Sequence, residues 1–140
     1  MQTTLCLIKP DATSRGLAGA ILTRLESEGF EVLAIRKAHL NQAMAEAFYA
    51  VHSERPFFPE LVEFMTSGPL YALALRRAAA ITTLREVIGA TDPAEASPGT
   101  IRATYAESKQ ENCVHASDAP ETAAQELPFF FAGSDLIRGL

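Results

Sequence analysis

The chain has 140 residues, which suits a single domain with a sizeable core, and 48% of them are hydrophobic against 21% charged. Twelve basic and seventeen acidic residues give a formal net charge of −5, which argues against nucleic acid as the primary partner. Because no apolar run is long enough to span a membrane and the N-terminus lacks the form of a signal peptide, we expect one cytoplasmic domain over residues 1–140, with no membrane partner.

The first predicted strand runs from Thr3 to Ile8 and ends at Lys9-Pro10, because proline stops a buried strand. Lys9 therefore lies at a strand end, where an ammonium group can reach a cleft, although most lysines in such places are simply solvated. The next helix is indicated by apolar residues at helical spacing, namely Leu17, Ile21, Leu22 and Leu25, with Gly29 as its stop.

A β-rich segment from Phe30 to Leu40 predicts the second strand, with Phe30, Val32 and Ala34 on one face. Asn41 can cap a helix that continues through His52. The residues expected to face inward from this helix are Met44, Ala47, Phe48 and Val51. Tyr49 lies off that stripe and can face a cleft, whereas His39 and His52 are interpreted as surface or edge residues.

The stretch Arg55-Pro56-Phe57-Phe58-Pro59 places two aromatic residues between prolines, which predicts a stiff, partly exposed corner. A short helix through Leu61, Phe64 and Met65 follows. Taken alone, such a corner is more often a hydrophobic plug than a binding platform. The residues themselves leave both explanations open.

Residues from Pro69 to Leu75 predict a third strand that is buried on both faces, and Ala78 to Ile88 form the next helix, with Gly89 as its stop. A long stretch with little periodicity then leads to Asn112 and carries Thr91 and Arg102. Loops of that length in a compact domain are usually functional or disordered.

A histidine stands between a short apolar run and a helix start in Asn112-Cys113-Val114-His115-Ala116-Ser117-Asp118. Asp118 and Glu121 fit a capping box, and the helix that Pro120 begins carries Glu126. Imidazole is a largely uncharged nucleophile near neutral pH. A lone histidine at such a junction is nevertheless more often a structural residue, so this motif alone leaves its function open.

The predicted elements alternate strand and helix four times along the chain. This order suits an α+β sandwich with helices on one face of a sheet, and it also allows a parallel doubly wound sheet.

The motif Asn-x-x-His-(Gly/Ala)-Ser-Asp resembles the active-site signature of nucleoside diphosphate kinases. Four further stretches occur in that family's order and at about its spacing: Ile8-Lys9-Pro10-Asp11, Arg55-Pro56-Phe57-Phe58, Thr66-Ser67-Gly68-Pro69 and Pro98-Gly99-Thr100-Ile101-Arg102. The resemblance covers nearly the whole chain. It implies a ferredoxin-like βαββαβ fold with a four-stranded antiparallel sheet, additional helices and a long loop before the last strand.

The same resemblance implies a phosphotransferase that moves the γ-phosphate of a nucleoside triphosphate to a nucleoside diphosphate. The route would be ping-pong through a phosphohistidine on His115, whose imidazole Glu126 and Ser117 would hold. Lys9 would contact the ribose hydroxyl and phosphate. Phe57 and Leu61 would sandwich the base without reading it, which implies broad base specificity. The other implied nucleotide-binding residues are Tyr49, Arg85, Thr91, Arg102 and Asn112.

The sequence shows no metal-ligand cluster, so Mg²⁺ is expected to arrive with the nucleotide phosphates. The family forms homo-oligomers built from dimers. Because this chain ends soon after Phe131, it resembles the shorter bacterial members, which favours a tetramer over a hexamer. The apolar tail Leu136-Ile137-Arg138-Gly139-Leu140 is a candidate contact in that assembly.

Three departures from the family pattern and two alternative functions remain. Ala12 follows Lys-Pro-Asp where many relatives carry glycine, Ala116 follows the histidine where glycine is commoner, and Asp92 stands where relatives often have asparagine. One alternative is a non-catalytic nucleotide-sensing module, which would have no use for a histidine oriented by Glu126. The other is a phospho-relay domain using His115, but such domains are usually helical bundles.

Overall fold

The computed structural model describes residues 1–137, and Arg138, Gly139 and Leu140 lie outside the described residues. The strands are β1 (Gln2–Ile8), β2 (Glu31–Ala38), β3 (Leu70–Arg77) and β4 (Val114–Ala116). The helices are α1 (Pro10–Ser14), α2 (Ala18–Ser27), α3 (Gln42–Phe48), α4 (Phe58–Met65), α5 (Ala80–Ile88), α6 (Ile101–Tyr105) and α7 (Pro120–Glu126), with 3₁₀ turns at Ala50–His52, Leu127–Phe129 and Gly133–Leu136. Across residues 1–137, no helix has the length and apolar character needed to cross a membrane.

The four strands form one antiparallel sheet in the order β2-β3-β1-β4. The central strand β1 pairs with β3 along its whole length and with β4 through Leu7 and His115. With the helices between the strands, this is the ferredoxin-like βαββαβ arrangement that the resemblance implied, so the expected fold is confirmed. The parallel doubly wound alternative is wrong.

Helices cover both faces of the sheet, so the expectation of helices on one face is wrong. One core lies between the sheet and α2, α5 and α6, and receives Cys6 and Ile8 from β1. The second core lies between the opposite face and α3, α4 and the C-terminal segment, and receives Leu5 and Leu7. Successive residues of a strand point to opposite faces, and β1 is apolar on both, so each face needs a covering layer.

Strand β2 contains a register shift between Val32 and Ala34. Phe30 and Val32 pack in the core beside α2 and α5, whereas Ala34 packs in the core on the other face. The expectation that these three residues share one face is therefore wrong. An extra residue in one strand reverses the side-chain alternation beyond it, and strict alternation in the sequence cannot reveal that.

Helix α3 begins at the expected cap, since the Met44 N–H donates to the Asn41 side-chain oxygen at 2.8 Å. It ends at Phe48 and gives way to the 3₁₀ turn, rather than continuing as one helix through His52. The tighter winding turns Val51 into solvent, where it is 86% exposed, and Ala47 is exposed as well. The expectation that these two residues face inward is wrong.

Two helices were not predicted, and one cap does not form. Both α1 and α6 have only five residues, too short for a helical apolar pattern. Helix α6 interrupts the long loop and is capped by the Thr100 side-chain oxygen, which accepts from the Ala103 N–H at 3.2 Å. At α7 the N-cap is Ala119, without a side-chain cap, so the expected capping box of Asp118 and Glu121 is wrong. Asp118 instead accepts a hydrogen bond from the Thr122 side chain, which holds its pKa below the ordinary value.

Candidate active site

His115 lies in the middle of the short strand β4, where pairing with the central strand fixes its backbone. Its Nε2 is 2.9 Å from Glu126 Oε1, and the Ser117 hydroxyl donates to the same oxygen at 2.7 Å. An ionised carboxylate can only accept hydrogen bonds, so Nε2 carries the proton and Nδ1 keeps its lone pair. The arrangement fixes the tautomer and orientation of the imidazole, as carboxylate partners of functional histidines generally do.

Two aromatic rings stand edge-on to this imidazole. The ring centroids of Phe48 and Tyr49 lie 5.3 and 5.9 Å from that of His115, with interplanar angles of 72° and 84°. Burial, and then the charge of Glu126, raises the pKa of Tyr49, so its phenol stays neutral. The His115 side chain remains 21% exposed, so the rings restrict the imidazole without sealing it off.

Lys9 lies between β1 and α1 and is 6% exposed. Its ammonium donates to Asn112 Oδ1 at 2.7 Å and to the Gln110 carbonyl at 2.9 Å. Burial lowers its pKa to about 8, against the opposing effect of the Asp11 carboxylate. The group is therefore charged at neutral pH but titrates within the range in which enzymes are assayed.

Two arginines bring positive charge to the same cleft. Arg102 is 5% exposed, and its Nη1 and Nη2 donate to the carbonyls of Gly89 at 3.0 Å and Val114 at 2.8 Å. Its Nε is buried and has no hydrogen-bond partner within residues 1–137. Burial and the charge of Arg85 lower the pKa of Arg102 to about 10, so the Arg102 guanidinium is charged at neutral pH. Two cations that repel each other across a cleft favour binding of an anion between them.

Asn112 joins these groups to the loop before β4. It is 4% exposed, accepts from Lys9 through Oδ1, and donates through Nδ2 to the Thr91 carbonyl at 3.3 Å. Thr91 is itself exposed. Beyond Asn112 the backbone makes a tight turn, in which the Val114 N–H donates to the Asn112 carbonyl at 2.9 Å and Cys113 has φ of +74°.

The opposite end of the cleft is aromatic and open. Phe57, just before α4, is 47% exposed, and Leu61 on α4 is half-buried. The His52 ring lies between the rings of Phe57 and Tyr49, with its centroid 5.4 Å from that of Phe57 and 6.4 Å from that of Tyr49. The cleft that joins this end to His115 has a volume of about 690 Å³, a size usual for small-molecule sites.

The predicted site residues come together around this cleft. Those that line it are Lys9, Tyr49, Phe57, Leu61, Arg85, Thr91, Arg102, Asn112, His115 and Glu126. Ser117 does not line the cleft. Its side chain is fully buried and donates a hydrogen bond to the Glu126 carboxylate. The individual role of each residue stays a prediction.

Sequence reasoning missed other lining residues, among them Phe48, His52, Asp118, Thr122, Gln125 and Phe129. His52, interpreted from the sequence as a surface or edge residue, is half-buried at the open end of the cleft. Its position three residues after Tyr49 is the only signal in the sequence that places the two on one side of a helical turn. Phe48 was expected in the core, and it does pack there while one edge faces His115.

Other reactive residue types offer no second centre in the described part of the chain. Burial raises the pKa of both Cys6 and Cys113 to about 12, so neither thiol is a nucleophile near neutral pH. From residue 1 to residue 137 there is no group of three or more His, Cys, Asp or Glu residues that could hold a metal ion. Asp92 does not line the cleft; its carboxylate accepts from the Ala94 N–H and lies 4.0 Å from Lys109.

The chain is similar to known nucleoside diphosphate kinases in sequence and in fold. The family model described as nucleoside diphosphate kinase matches residues 2–136. The nucleoside diphosphate kinase of Ruegeria sp. (strain TM1040) is 52% identical over 98% of both chains. The crystal structure of the Aquifex aeolicus nucleoside diphosphate kinase superposes with a TM-score of 0.94 and 45% identity, covering 97% of this chain and 99% of that one. The structure of a Halobacterium salinarum nucleoside diphosphate kinase in complex with CDP superposes with a TM-score of 0.93 and 37% identity, covering 97% of this chain and 91% of that one.

Proposed function

The chain belongs to the nucleoside diphosphate kinase family, whose members transfer phosphate between nucleotides and use Mg²⁺-nucleotides, and from this premise we propose how its own residues carry out the transfer. His115 Nδ1 attacks the γ-phosphorus of a nucleoside triphosphate. An N–P bond forms, the bond from that phosphorus to the β-phosphate oxygen breaks, and its electron pair leaves with the diphosphate. The terminal oxygen of a second diphosphate then takes the phosphoryl group from Nδ1.

The observation that carries this proposal is the contact of His115 with Glu126 and Ser117. With the Nε2 proton engaged by a carboxylate, Nδ1 is the nitrogen with a free lone pair. Attack at Nδ1 places positive charge on the ring, and the adjacent carboxylate stabilises it. A protein that only bound nucleotides would gain nothing from orienting a partly exposed imidazole in this way.

The cationic end of the cleft supports binding of the phosphates and ribose. Arg85 and Arg102 can hold phosphate oxygens through planar guanidinium groups, while Lys9 and Asn112 can bond the ribose hydroxyl. The exposed hydroxyl of Thr91 can donate to a phosphate oxygen. Mg²⁺ enters as part of the nucleotide substrate, held chiefly by phosphate oxygens and water.

The aromatic end supports binding of the base. Phe57 and Leu61 offer apolar surfaces for stacking, which needs only the face of the base. The solved relative from Halobacterium salinarum is in complex with CDP, so a pyrimidine nucleotide binds to this fold. We therefore propose that purine and pyrimidine diphosphates all serve as acceptors.

The first test uses γ-labelled ATP without an acceptor and the variants His115→Ala and His39→Ala. Wild type and His39→Ala should both acquire acid-labile, alkali-stable label, since His39 bonds the Thr66 carbonyl away from the cleft. His115→Ala should acquire none but still bind ATP, because Lys9 and Phe57 are unchanged. Label on His115→Ala would overturn the assignment of the nucleophile.

The second test measures steady-state rates with ADP, GDP, CDP and UDP as acceptors. All four should be phosphorylated, with kcat/KM values within about two powers of ten of one another. A site built to hydrogen-bond one base would instead discriminate by about 10⁴–10⁵. Activity with a single base would contradict stacking at Phe57.

We also propose a homo-oligomer built from dimers, with a tetramer favoured over a hexamer. Two exposed apolar side chains support an interface, Ile35 on β2 at 51% and Ile137 at 61%. The remainder of the predicted tail contact, residues 138–140, lies outside the described residues. Light scattering behind a sizing column should give a mass near four times 15.1 kDa. A single-chain mass would contradict assembly, and a six-chain mass would contradict the tetramer.

The cytoplasmic location stays a prediction.

A further inference from the structure

The turn that carries Asn112 into β4 is strained. Cys113 has φ of +74°, a conformation that residues other than glycine rarely adopt. The Val114 N–H reaches back to the Asn112 carbonyl at 2.9 Å, so three residues close a γ-turn, which is a rare and strained conformation at positive φ. Such a backbone persists only where surrounding groups hold it in place.

Two groups from the first strand-to-helix junction hold this turn. The Cys113 N–H donates to Asp11 Oδ2 at 3.0 Å, and the Cys113 carbonyl accepts from the Lys9 N–H at 2.8 Å. The contact through Lys9 is made by backbone and survives any side-chain change. The contact through Asp11 depends on its carboxylate alone.

The Asp11 carboxylate lies in a buried environment and makes few hydrogen bonds. The residue is 7% exposed, and its Oδ1 is buried without a hydrogen-bond partner in the described chain. Burying a carboxylate that is only partly hydrogen-bonded costs free energy, and the charge of the buried Lys9 ammonium offsets part of that cost. A carboxylate is, however, a stronger acceptor for an N–H group than a neutral oxygen is.

The turn sets the position of groups at the ribose end of the cleft. Asn112 precedes Cys113 directly, and its side chain bonds the Lys9 ammonium at 2.7 Å. Val114 follows, and its carbonyl accepts from Arg102 at 2.8 Å. If the turn relaxed, Asn112 would move relative to Lys9, whose own backbone is fixed by β1.

We propose that Asp11 is a positioning residue: by holding the strained turn at Cys113, its carboxylate places Asn112 and Lys9 where together they receive the ribose hydroxyls of the nucleotide. Asp11 itself touches neither the substrate nor the reacting atoms. This inference rests on the proposed function, in which Lys9 and Asn112 bind the ribose. It extends that function to a residue outside the lining of the cleft.

The test compares ADP with 2′,3′-dideoxyadenosine diphosphate, which lacks both ribose hydroxyls, as phosphate acceptors. The variants are Asp11→Ala, which removes the acceptor, and Asp11→Asn, which keeps a weaker neutral one. Ser14→Ala, which removes a hydroxyl that donates to the Asp11 backbone carbonyl but leaves the Asp11 carboxylate intact, is the matched control on the same helix. Thermal unfolding establishes which variants fold.

Wild type and Ser14→Ala should prefer ADP strongly. Asp11→Ala should lose about 10- to 100-fold in kcat/KM with ADP but less than about threefold with the dideoxy nucleotide, so that the preference collapses. Asp11→Asn should fall between, with a loss of about 3- to 10-fold confined to ADP, because hydrogen bonds to a charged acceptor are roughly twice as strong as those to a neutral one.

Each outcome decides something. Equal losses with both nucleotides would mean that Asp11 only supports the fold, and the proposal would be overturned. An Asp11→Asn enzyme with wild-type preference would overturn it as well, even if the alanine variant failed to fold. If wild type itself showed no preference for ADP, the ribose role of Lys9 and Asn112 would fail first, independently of Asp11.

Discussion

Removing the carboxylate of Glu126 should slow phosphorylation of His115 by an amount that the structure allows us to work out. One oxygen of Glu126 receives both the His115 Nε2–H at 2.9 Å and the Ser117 hydroxyl at 2.7 Å. A hydrogen bond to a charged group contributes about 1.5–3 kcal/mol, and one to a neutral group about 0.5–1.5. The Glu126 side chain is only 13% exposed, so solvent screens the interaction little.

Glu126→Gln, which keeps the shape and removes the charge, should therefore cost about 1–1.5 kcal/mol at the transition state, or roughly 5- to 13-fold in rate. Glu126→Ala removes the acceptor altogether and should cost about 1.5–3 kcal/mol, roughly 10- to 150-fold. The matched control is Glu121→Gln, an exposed position in the first turn of the same helix.

The assay is a single-turnover measurement in which enzyme is mixed rapidly with γ-labelled ATP and the phosphoenzyme is quenched in alkali. Using the first half-reaction alone keeps acceptor binding and product release out of the rate. A Glu126→Ala enzyme phosphorylated within about threefold of the wild-type rate would refute the reasoning. Equal slowing in Glu121→Gln would assign the effect to α7 as a whole instead.

Three further outcomes are expected. Because burial lowers the pKa of Lys9 from 10.5 in the unfolded chain to about 8 in the fold, kcat/KM should fall as pH rises through about 8. Between these two pKa values the unfolded chain binds more protons at Lys9 than the folded chain does, so the stability measured by thermal unfolding should rise with pH over that range. The variant Lys9→Met should show neither trend. Gly89→Ala should destabilise the fold by about 1–3 kcal/mol in urea unfolding, because φ at this position is +89° and the new Cβ would lie 2.5 Å from Thr100 Oγ1. The control Gly133→Ala places its Cβ where no atom lies within 4 Å, so its stability should be nearly unchanged. Phe57→Ala should raise KM for nucleotides by about tenfold while unfolding stays unchanged, because stacking contributes about 1–3 kcal/mol per base and the ring is 47% exposed.

Local pattern predicted much of the fold. Strand β3 reads as an uninterrupted apolar run in the sequence and is buried on both faces in the fold. Asn41 caps α3 as its residue type suggests. The bulge in β2 escaped prediction because Ala34 is small and apolar enough to suit either face. The partner of the Asp118 carboxylate was not predicted, because two donors compete for it, the backbone N–H groups of α7 and the Thr122 hydroxyl. The sequence does not show which of the two donors forms the hydrogen bond.

The site is a different matter, because its residues converge through the fold alone. Nothing in the spacing of Lys9, Arg85 and Arg102 indicates that they share a cleft, and only the family resemblance brought them together. The turn at Cys113 could not be predicted from the sequence either, because a positive φ is normally indicated by glycine and this position is a cysteine. That His52 lines the cleft was not predicted for a related reason: it belongs to a 3₁₀ turn, whose phase differs from that of the helix before it.

The position of β1 in the centre of the sheet bears on when this enzyme becomes active during its own synthesis. β1 is translated early, yet it pairs with β4 through Leu7 and His115, and Lys9 bonds Asn112, which lies 103 positions further along the chain. Contacts so distant in sequence form late, because the intervening chain must be ordered first. Until β4 emerges from the ribosome, β1 keeps one unpaired edge, and the place beside Leu7 that His115 takes in the fold stays empty. The proposed phosphotransfer centre is thus completed by the last strand of the sheet to be translated, so a nascent chain that still lacks β4 cannot form the proposed phosphohistidine.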